Sequence, residues 1–206
     1  DALPIYPSLK AADYKLAVKT SNGRGVYTFC MCPGGKVINS SSEAGGIVVN
    51  GMSNQARDEA NANSAVLVTV GPEDFASSHP LAGITYQREL EQKAFELGGK
   101  DYSVPVMRVE DYLNDTLDLK MEEVSCSVQP NVRYAKLSQI FSNEVNLALK
   151  EGLQLMNHKF TGFTEKAMLS GVESRSSAPV RLYRDENFQS NIKGIMPIGE
   201  GAGYAG

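Results

Sequence analysis

The 206-residue sequence predicts an α+β fold: a β-rich module, barrel- or meander-like, with an appended helical segment. Three observations support this prediction. Short apolar segments separated by turn residues fill residues 1–82, helical periodicity dominates residues 83–165, and short apolar segments return over residues 166–193. Residues 194–206 form a last part, a short strand that runs into a glycine turn. Because the alternating strand–helix order of a complete doubly wound sheet is missing, we expect a segment that leaves a sheet, makes an appended domain and comes back.

Four apolar segments of the first part have the composition of strands: residues 14–20, 26–39, 47–49 and 65–70. Turn formers separate the first two, which predicts a hairpin. Cys32-Pro33-Gly34-Gly35 predicts a break in the second segment, and the polar run from Asn50 to Asn63 predicts a loop. In this order the segments predict a β meander.

Helical spacing appears in three segments: residues 85–97, 108–113 and 143–158. The third is the clearest, because Val145, Leu149, Leu153 and Met156 repeat every three to four residues, and we expect Leu147 and Leu155 to widen the buried stripe. Strands are predicted to return over residues 167–172, 179–183 and 195–198.

Composition excludes several classes of partner. The chain is 42% hydrophobic, with a formal net charge of −4 and a pI near 5.3, so it has no basic surface for nucleic acid or an anionic membrane. The chain has three cysteines, and a single residue separates two of them. Such a set does not make a disulfide framework. This cysteine usage is typical of a reducing compartment, and we expect a cytoplasmic location.

The final stretch is the most informative, with glycines at Gly199, Gly201, Gly203 and Gly206 around Glu200. Glycines let backbone N–H groups approach a ligand, and such a turn normally opens a helix whose N-terminus favours an anion. The same pattern also occurs by chance. Glu200 would repel a pyrophosphate but suits the hydroxyls of a ribose or ribitol. Because the turn lacks its helix, we expect an excised piece of a longer polypeptide.

Cys30 and Cys32 form the most unusual local pattern. On a strand both would point to one face, so a bent disulfide, a redox-active thiol pair and a metal site are all conceivable. A structural zinc site needs four ligands, whereas Cys126, His79 and His158 are scattered, so we predict no metal. The plainer interpretation is two small buried side chains.

Arginines offer a second candidate. Arg175, Arg181 and Arg184 are close in sequence, and Arg181 and Arg184 could clamp a substrate carboxylate or phosphate. The commoner outcome is an exposed salt bridge with Glu173, Asp185 or Glu186.

Several longer motifs occur in a fixed order along nearly the whole chain: Gly25 to Gly35 (GVYTFCMCPGG), Asn50-Gly51-Met52-Ser53, Asn61-Ala62-Asn63, Gln87-Arg88-x-Leu90-Glu91, Ser176 to Arg181 (SSAPVR) and Gly199 to Gly206 (GEGAGYAG). In these motifs the sequence resembles the bacterial FAD-dependent dehydrogenases, relatives of the two-dinucleotide-fold flavoproteins.

The resemblance implies a Rossmann flavoprotein whose FAD domain is interrupted by this β-rich and helical insertion. The first FAD fingerprint would precede Asp1. The closing turn would then be the second FAD contact, made by Gly199, Glu200, Gly201, Ala202, Gly203, Tyr204 and Gly206, with Glu200 facing the ribitol. Cys30, Cys32, Pro33, Gly34 and Gly35, together with Asn50, Gly51 and Met52, would line the flavin or substrate cavity. From their chemistry we also predict that Cys30 and Cys32 are catalytic as redox thiols and that Arg181, like Asn50, Gly51 and Met52, binds substrate.

The resemblance therefore predicts an FAD-dependent oxidoreductase as the intact protein, acting on a small molecule. We expect this chain to contact the rest of its own FAD domain, to be inactive alone and to lack FAD. The alternative from another class is a non-catalytic ligand- or partner-binding accessory domain.

Overall fold

The computed structural model describes residues 15–117 and 126–203. Tyr14, Tyr204 and Gly206 were included in the predictions above and lie outside the described residues. Eight strands fall within the described residues: β1 (Ala17–Lys19), β2 (Gly25–Asn39), β3 (Val49–Ser53), β4 (Asn61–Val68), β5 (Val104–Arg108), β6 (Val128–Gln129), β7 (Val132–Tyr134) and β8 (Met168–Ser170). The α-helices of this part are α1 (Ala82–Leu97), α2 (Val109–Asn114) and α3 (Asn143–Lys159). The α+β class is thus confirmed.

The larger sheet is built on β2, a strand of 15 residues. Its first half pairs antiparallel with β1 and β4, and its second half pairs antiparallel with β3 and parallel with β6. The predicted hairpin of β1 and β2 is confirmed. Because β4 returns to β2 instead of pairing with β3 in sequence order, the sheet differs from a simple meander.

Residues 32–35 bend β2 but do not end it. The pairing with β4 slips between Phe29 and Cys32 and again between Cys32 and Gly35, which is the mark of β-bulges. The predicted break is therefore wrong, because the strand continues through the two slips to Asn39.

A second, smaller sheet has the order β7-β5-β8, with β7 parallel and β8 antiparallel to β5. Residues 104–107 of the central strand are all buried. They form one core with Ile47, Leu90, Tyr112 and Ile140, and α1 packs against this strand.

Helix α3 covers the larger sheet and contacts β1, β2 and β4. Ser142 caps it by accepting a hydrogen bond from the Val145 N–H at 3.3 Å. Gly152 lies directly over Val26, where a Cβ would come within 2.6 Å of the valine Cγ1, so helix and sheet approach closely. The predicted helix is confirmed, but Leu147 is 63% exposed and does not belong to the buried stripe.

Three strand and loop predictions are wrong. Asn50 to Ser53, predicted as loop, belongs to β3, because pairing with β2 outweighs the weak strand propensity of asparagine and glycine. Residues 179–183 and 195–198, predicted as strands, form no strand within the described part of the chain, where no neighbouring strand pairs with them.

Candidate functional site

Arg181 and the glycine turn, both predicted to contact a ligand, lie in one open cleft. Ala178 to Arg181 form one wall, and Glu200 and Gly201 form the other, around a volume of about 360 Å³. Two hydrogen bonds join the walls. The Leu182 N–H donates to the Gly201 carbonyl at 2.7 Å, and the Ala178 N–H donates to the Glu200 carboxylate at 3.1 Å.

The glycine turn is a single 3₁₀ turn over Glu200–Ala202. Its N–H groups at Ala202 and Gly203 donate to the carbonyls of Gly199 and Glu200, so they are already engaged inside the turn. Gly199 has a φ of +89°, and the position of its missing Cβ faces open space. The start of the turn is therefore the part of its backbone that a ligand can approach most closely.

Arg181 supplies the positive charge of the cleft. Its exposed guanidinium lies against Gly203, where a Cβ would come within 2.8 Å of a guanidinium nitrogen. Within residues 15–117 and 126–203, no carboxylate forms an ion pair with it. A side chain of this kind can bind a carboxylate or phosphate bidentately.

Arg184, predicted to act beside Arg181, has other contacts. It donates to the Pro197 carbonyl at 3.1 Å and lies over the Phe188 ring at 4.9 Å. It is not part of the cleft lining.

Arg175 holds the chain in place just before the cleft. It donates two hydrogen bonds of 2.8 Å to Glu91 of α1, whose side chain is 2% exposed, and one of 3.0 Å to Glu43. Ser174 also donates to Glu91, at 2.6 Å. These hydrogen bonds raise the pKa of Arg175 above its usual value. We call this group the Glu91 clamp. The residue pattern alone did not single out Glu91 as the partner of Arg175.

A second depression of about 260 Å³ connects the clamp to the cleft. It shares Ala178, Pro179 and Glu200 with the cleft and adds Arg88 and Arg175. Arg88 itself pairs with Glu43 at 2.8 Å. The charged side chains beside the cleft therefore neutralise one another in ion pairs.

The two close cysteines lie elsewhere, on the bulge of β2. Cys30 is exposed with a φ of +48°, and the Cys32 thiol donates to the Cys30 carbonyl at 3.5 Å. Both are free thiols. Burial, followed by the charge of Cys30, raises the pKa of Cys32, and Glu173, whose own pKa burial raises, adds to the effect. Cys32 is therefore held as a neutral thiol at neutral pH.

The remaining predicted residues cluster between β2 and β3, apart from the cleft. A Cβ at Gly34 would overlap the Arg57 carbonyl, one at Gly35 the Met52 carbonyl, and one at Gly51 the Asn63 amide oxygen. These glycines are thus explained by strand packing. A role for Pro33, Asn50 or Met52 in binding stays a prediction.

Metal-binding clusters and membrane-spanning helices are both absent from the described residues. Residues 15–117 and 126–203 hold no group of three or more histidine, cysteine or acidic side chains placed to bind a metal ion. In the same part of the chain, no helix has both the length and the apolar character needed to cross a bilayer.

Comparison with known families identifies the chain through the residues that precede the cleft. Residues 4–176 match the family model described as "FAD-dependent protein, C-terminal domain-like". The chain belongs to this family. A Clostridium beijerinckii protein described as an uncharacterized protein is 48% identical to this chain over 204 residues. The match covers 98% of this chain and 38% of that protein, so the chain spans well under half of the length of its relative.

The FAD-dependent C-terminal domain therefore ends, by its family match, between the Glu91 clamp and the cleft. Arg175 and Ser176 are inside the matched range, whereas Arg181 and the glycine turn follow it. The cleft walls at Ala178, Pro179 and Val180 were not predicted as site residues, although the Ser176–Arg181 motif was the signal that could have pointed to them.

Proposed function

We propose that the intact protein is an FAD-dependent oxidoreductase and that this chain supplies a domain beside the flavin together with one cofactor contact. The observation that carries the proposal is the cleft between Arg181 and the Gly199–Gly203 turn, in a chain of an FAD-dependent family. An open glycine backbone next to an arginine without a carboxylate partner in the described residues suits an anionic ligand.

FAD fits this cleft only in part. Gly199 leaves space for close backbone approach, and Glu200 can accept hydrogen bonds from ribitol hydroxyls with the oxygen that Ala178 does not use. The glycines of β2 and β3 fit FAD less well, because neighbouring backbone and side-chain atoms occupy the space beside them. We therefore assign the cofactor contact to the cleft.

Flavin, when bound, would supply the electron transfer, and the protein would supply orientation and exclusion of water. In this proposal Glu200 orients the sugar chain, and Arg181 binds an anionic group of the cofactor or of a small-molecule substrate. Cys30 and Cys32 are secondary candidates as redox thiols, although the neutral state of Cys32 favours a packing role.

The test compares the 206-residue chain with the full-length Clostridium relative. We expect the purified relative to be yellow and to release FAD on denaturation, and the 206-residue chain to be colourless. A full-length relative without flavin, expressed with riboflavin in the medium, would contradict the proposal.

Arg181→Ala tests the site itself, made in the Clostridium relative with residues 1–206 of this chain in place of its aligned region. Because a hydrogen bond to a charged group contributes about 1.5–3 kcal/mol, we expect FAD affinity or substrate KM to weaken by roughly 10- to 100-fold. Arg133→Ala is the control, since Arg133 is exposed and contacts Gly98 and Asp101 instead. If both substitutions weaken FAD affinity or substrate KM equally, Arg181 is not part of the site.

A non-catalytic accessory domain is the second candidate. The observation that favours it concerns the second depression. Its two arginines, Arg88 and Arg175, are both paired with carboxylates, which neutralise their charge. A folded 206-residue chain that binds a partner protein while its longer relative carries no flavin would favour this candidate.

A further inference from the structure

One side of helix α1 holds the segment that leads into the cleft. Gly83, Gln87 and Glu91 are spaced four residues apart, so they follow one another along the same side of the helix. We call these three residues the α1 contact row. Glu91 belongs to the clamp described above, and residues 174–179 run from it along the row towards the N-terminus of α1.

Gln87 binds two carbonyls of this segment at once. Its side-chain Nε2 donates to the Ser174 carbonyl at 2.8 Å and to the Ser177 carbonyl at 3.2 Å. Within residues 15–117 and 126–203, neither carbonyl accepts any other hydrogen bond. Because an amide nitrogen carries two hydrogens, this one side chain fixes both ends of the turn from Ser174 to Ser177.

Gly83 receives the next part of the segment. A Cβ at this position would come within 2.8 Å of the Pro179 carbonyl oxygen and within 2.9 Å of the Pro179 Cβ. The proline therefore packs directly on the backbone of the helix. Because Gln87 holds Ser177 and Gly83 contacts Pro179, Ala178 is fixed from both sides.

Ala178 in turn orients Glu200. Its N–H donates to one oxygen of the Glu200 carboxylate at 3.1 Å, and Glu200 lines both the cleft and the second depression. The lining of the cleft includes Ala178 and Pro179 but neither Gly83 nor Gln87. Helix α1 therefore acts on the cleft through the segment that it holds.

We propose that Gln87 is a positioning residue of the cleft: it fixes the Ala178 N–H, which holds the Glu200 carboxylate in the orientation that accepts hydroxyl groups of a ligand. This role rests on the proposed function, because that function assigns the sugar chain of the ligand to Glu200. It requires no contact between Gln87 and the ligand.

Hydrogen exchange of the Ala178 amide, followed by NMR on the 206-residue chain, tests the positioning without a ligand. Gln87→Met keeps the length of the side chain but removes both N–H donors, so we expect Ala178 and Leu182 to exchange roughly tenfold faster. Gln92→Met is the control, because Gln92 is exposed on the same helix. Amides of α3 should exchange alike in both variants. Unchanged exchange of Ala178 in Gln87→Met would overturn the proposal.

Gln87→Glu provides a second variant should Gln87→Met fold poorly. It has the same shape as glutamine but, when ionised, no donor for the two carbonyls, so it should also speed exchange at Ala178. Slow exchange in a folded Gln87→Glu variant at neutral pH would contradict the proposal.

A double-mutant cycle tests whether Gln87 acts through Glu200. The protein is the Clostridium relative with residues 1–206 of this chain in place of its aligned region, and the readout is FAD affinity. We expect Gln87→Met to weaken FAD binding roughly fivefold when Glu200 is present and by less than about twofold in the Glu200→Ala background. An equal loss in both backgrounds would show that Gln87 acts independently of Glu200 and would overturn the proposal.

The two readouts separate the possible failures. A chimera without FAD, together with faster exchange at Ala178 in Gln87→Met, would contradict the proposed function and support the positioning of Ala178. FAD binding that depends on Glu200, together with exchange that Gln87→Met leaves unchanged, would contradict the positioning role alone.

Discussion

Cys30 and Cys32 are two residues apart, yet their thiols differ in environment. The bulge of β2 places Cys30 at the surface with a left-handed backbone, whereas Cys32 is half-buried and its pKa is raised by that burial. Reactivity follows the thiolate fraction and access. The two sulfurs should therefore not behave as an equivalent pair.

We expect Cys30 to react with a maleimide at neutral pH roughly tenfold faster than Cys32 or Cys126, because only Cys30 is exposed. Peptide mass analysis after short labelling gives the individual rates. Cys30→Ser should remove the fast phase, and Cys126→Ser should leave it intact. A fast phase that survives Cys30→Ser would show that another thiol is the reactive one.

At the scale of elements, β2 determines how the larger sheet is built. Gly35 lies opposite Ser53 of β3, and the Met52 carbonyl occupies the place where a Cβ would be. Gly34 and Gly51 meet the Arg57 carbonyl and the Asn63 amide in the same way. Because these positions have no side chain, β3, β4 and the turn at Arg57 can come close to β2 where its register slips.

Gly35→Ala should therefore destabilise the chain by about 2 kcal/mol or more, since the strands must move apart to admit the methyl group. Gly23→Ala is the matched control. Gly23 has a φ of +83° and open space around it, so its substitution should cost only about 1 kcal/mol of backbone strain. Urea denaturation measures both, and a Gly35→Ala cost at or below that of Gly23→Ala would disprove the steric explanation.

Some elements could be predicted from the sequence and others could not. Helices α1 and α3 were predictable because a one-sided apolar period is a local signal. Strand β5 was missed because Pro105 is typical of a strand end, although in the structure it pairs with Arg133 in the parallel ladder and its carbonyl accepts from Gly171. Strand β3 was missed because Asn50 and Gly51 are strand residues only through their pairing with β2.

At the scale of the whole molecule, ion pairs join segments distant in sequence. Arg24, at the turn before β2, binds Asp74 of the 3₁₀ turn that precedes α1, and their side chains are only 17% and 10% exposed. The hydrogen bonds from Arg24 lower the pKa of Asp74 below its usual range. The folded protein therefore binds a proton at Asp74 more weakly than the unfolded chain does.

This pair predicts a pH dependence of stability. Its contribution should be fully present above the unfolded aspartate pKa of about 3.9 and should be lost as pH falls through the lower folded value. Asp74→Asn should cost about 1–3 kcal/mol at pH 7 and less in acid. Asp101→Asn is the control, because Asp101 is 56% exposed and screened by water. If the free energy of unfolding lost on Asp74→Asn does not decrease as the pH is lowered, the ion pair is not the source of that loss.

The candidate site shows the same division between local and long-range information. Gly199 to Gly203 and Arg181 were singled out by residue type, because glycine turns and arginines are recognisable in any sequence. That the Leu182 N–H would reach the Gly201 carbonyl, and so form a cleft, depends on a chain reversal through residues 183–198 that has no periodic signal. Spacing alone could not place Ala178 beside Glu200.

The Glu91 clamp has a mechanical consequence. Arg175 and Ser174 are tied to the buried Glu91 of α1, one residue before the family match ends, whereas residues 181–203 hydrogen-bond through their backbone only among themselves in the described structure. Ser177 is also held to α1, because Gln87 donates to its carbonyl at 3.2 Å, so any rotation of residues 181–203 relative to the helices must pivot after Ser177. Such a rotation would separate the two walls of the cleft by breaking the Ala178–Glu200 hydrogen bond, while the contacts of the Glu91 clamp stay in place.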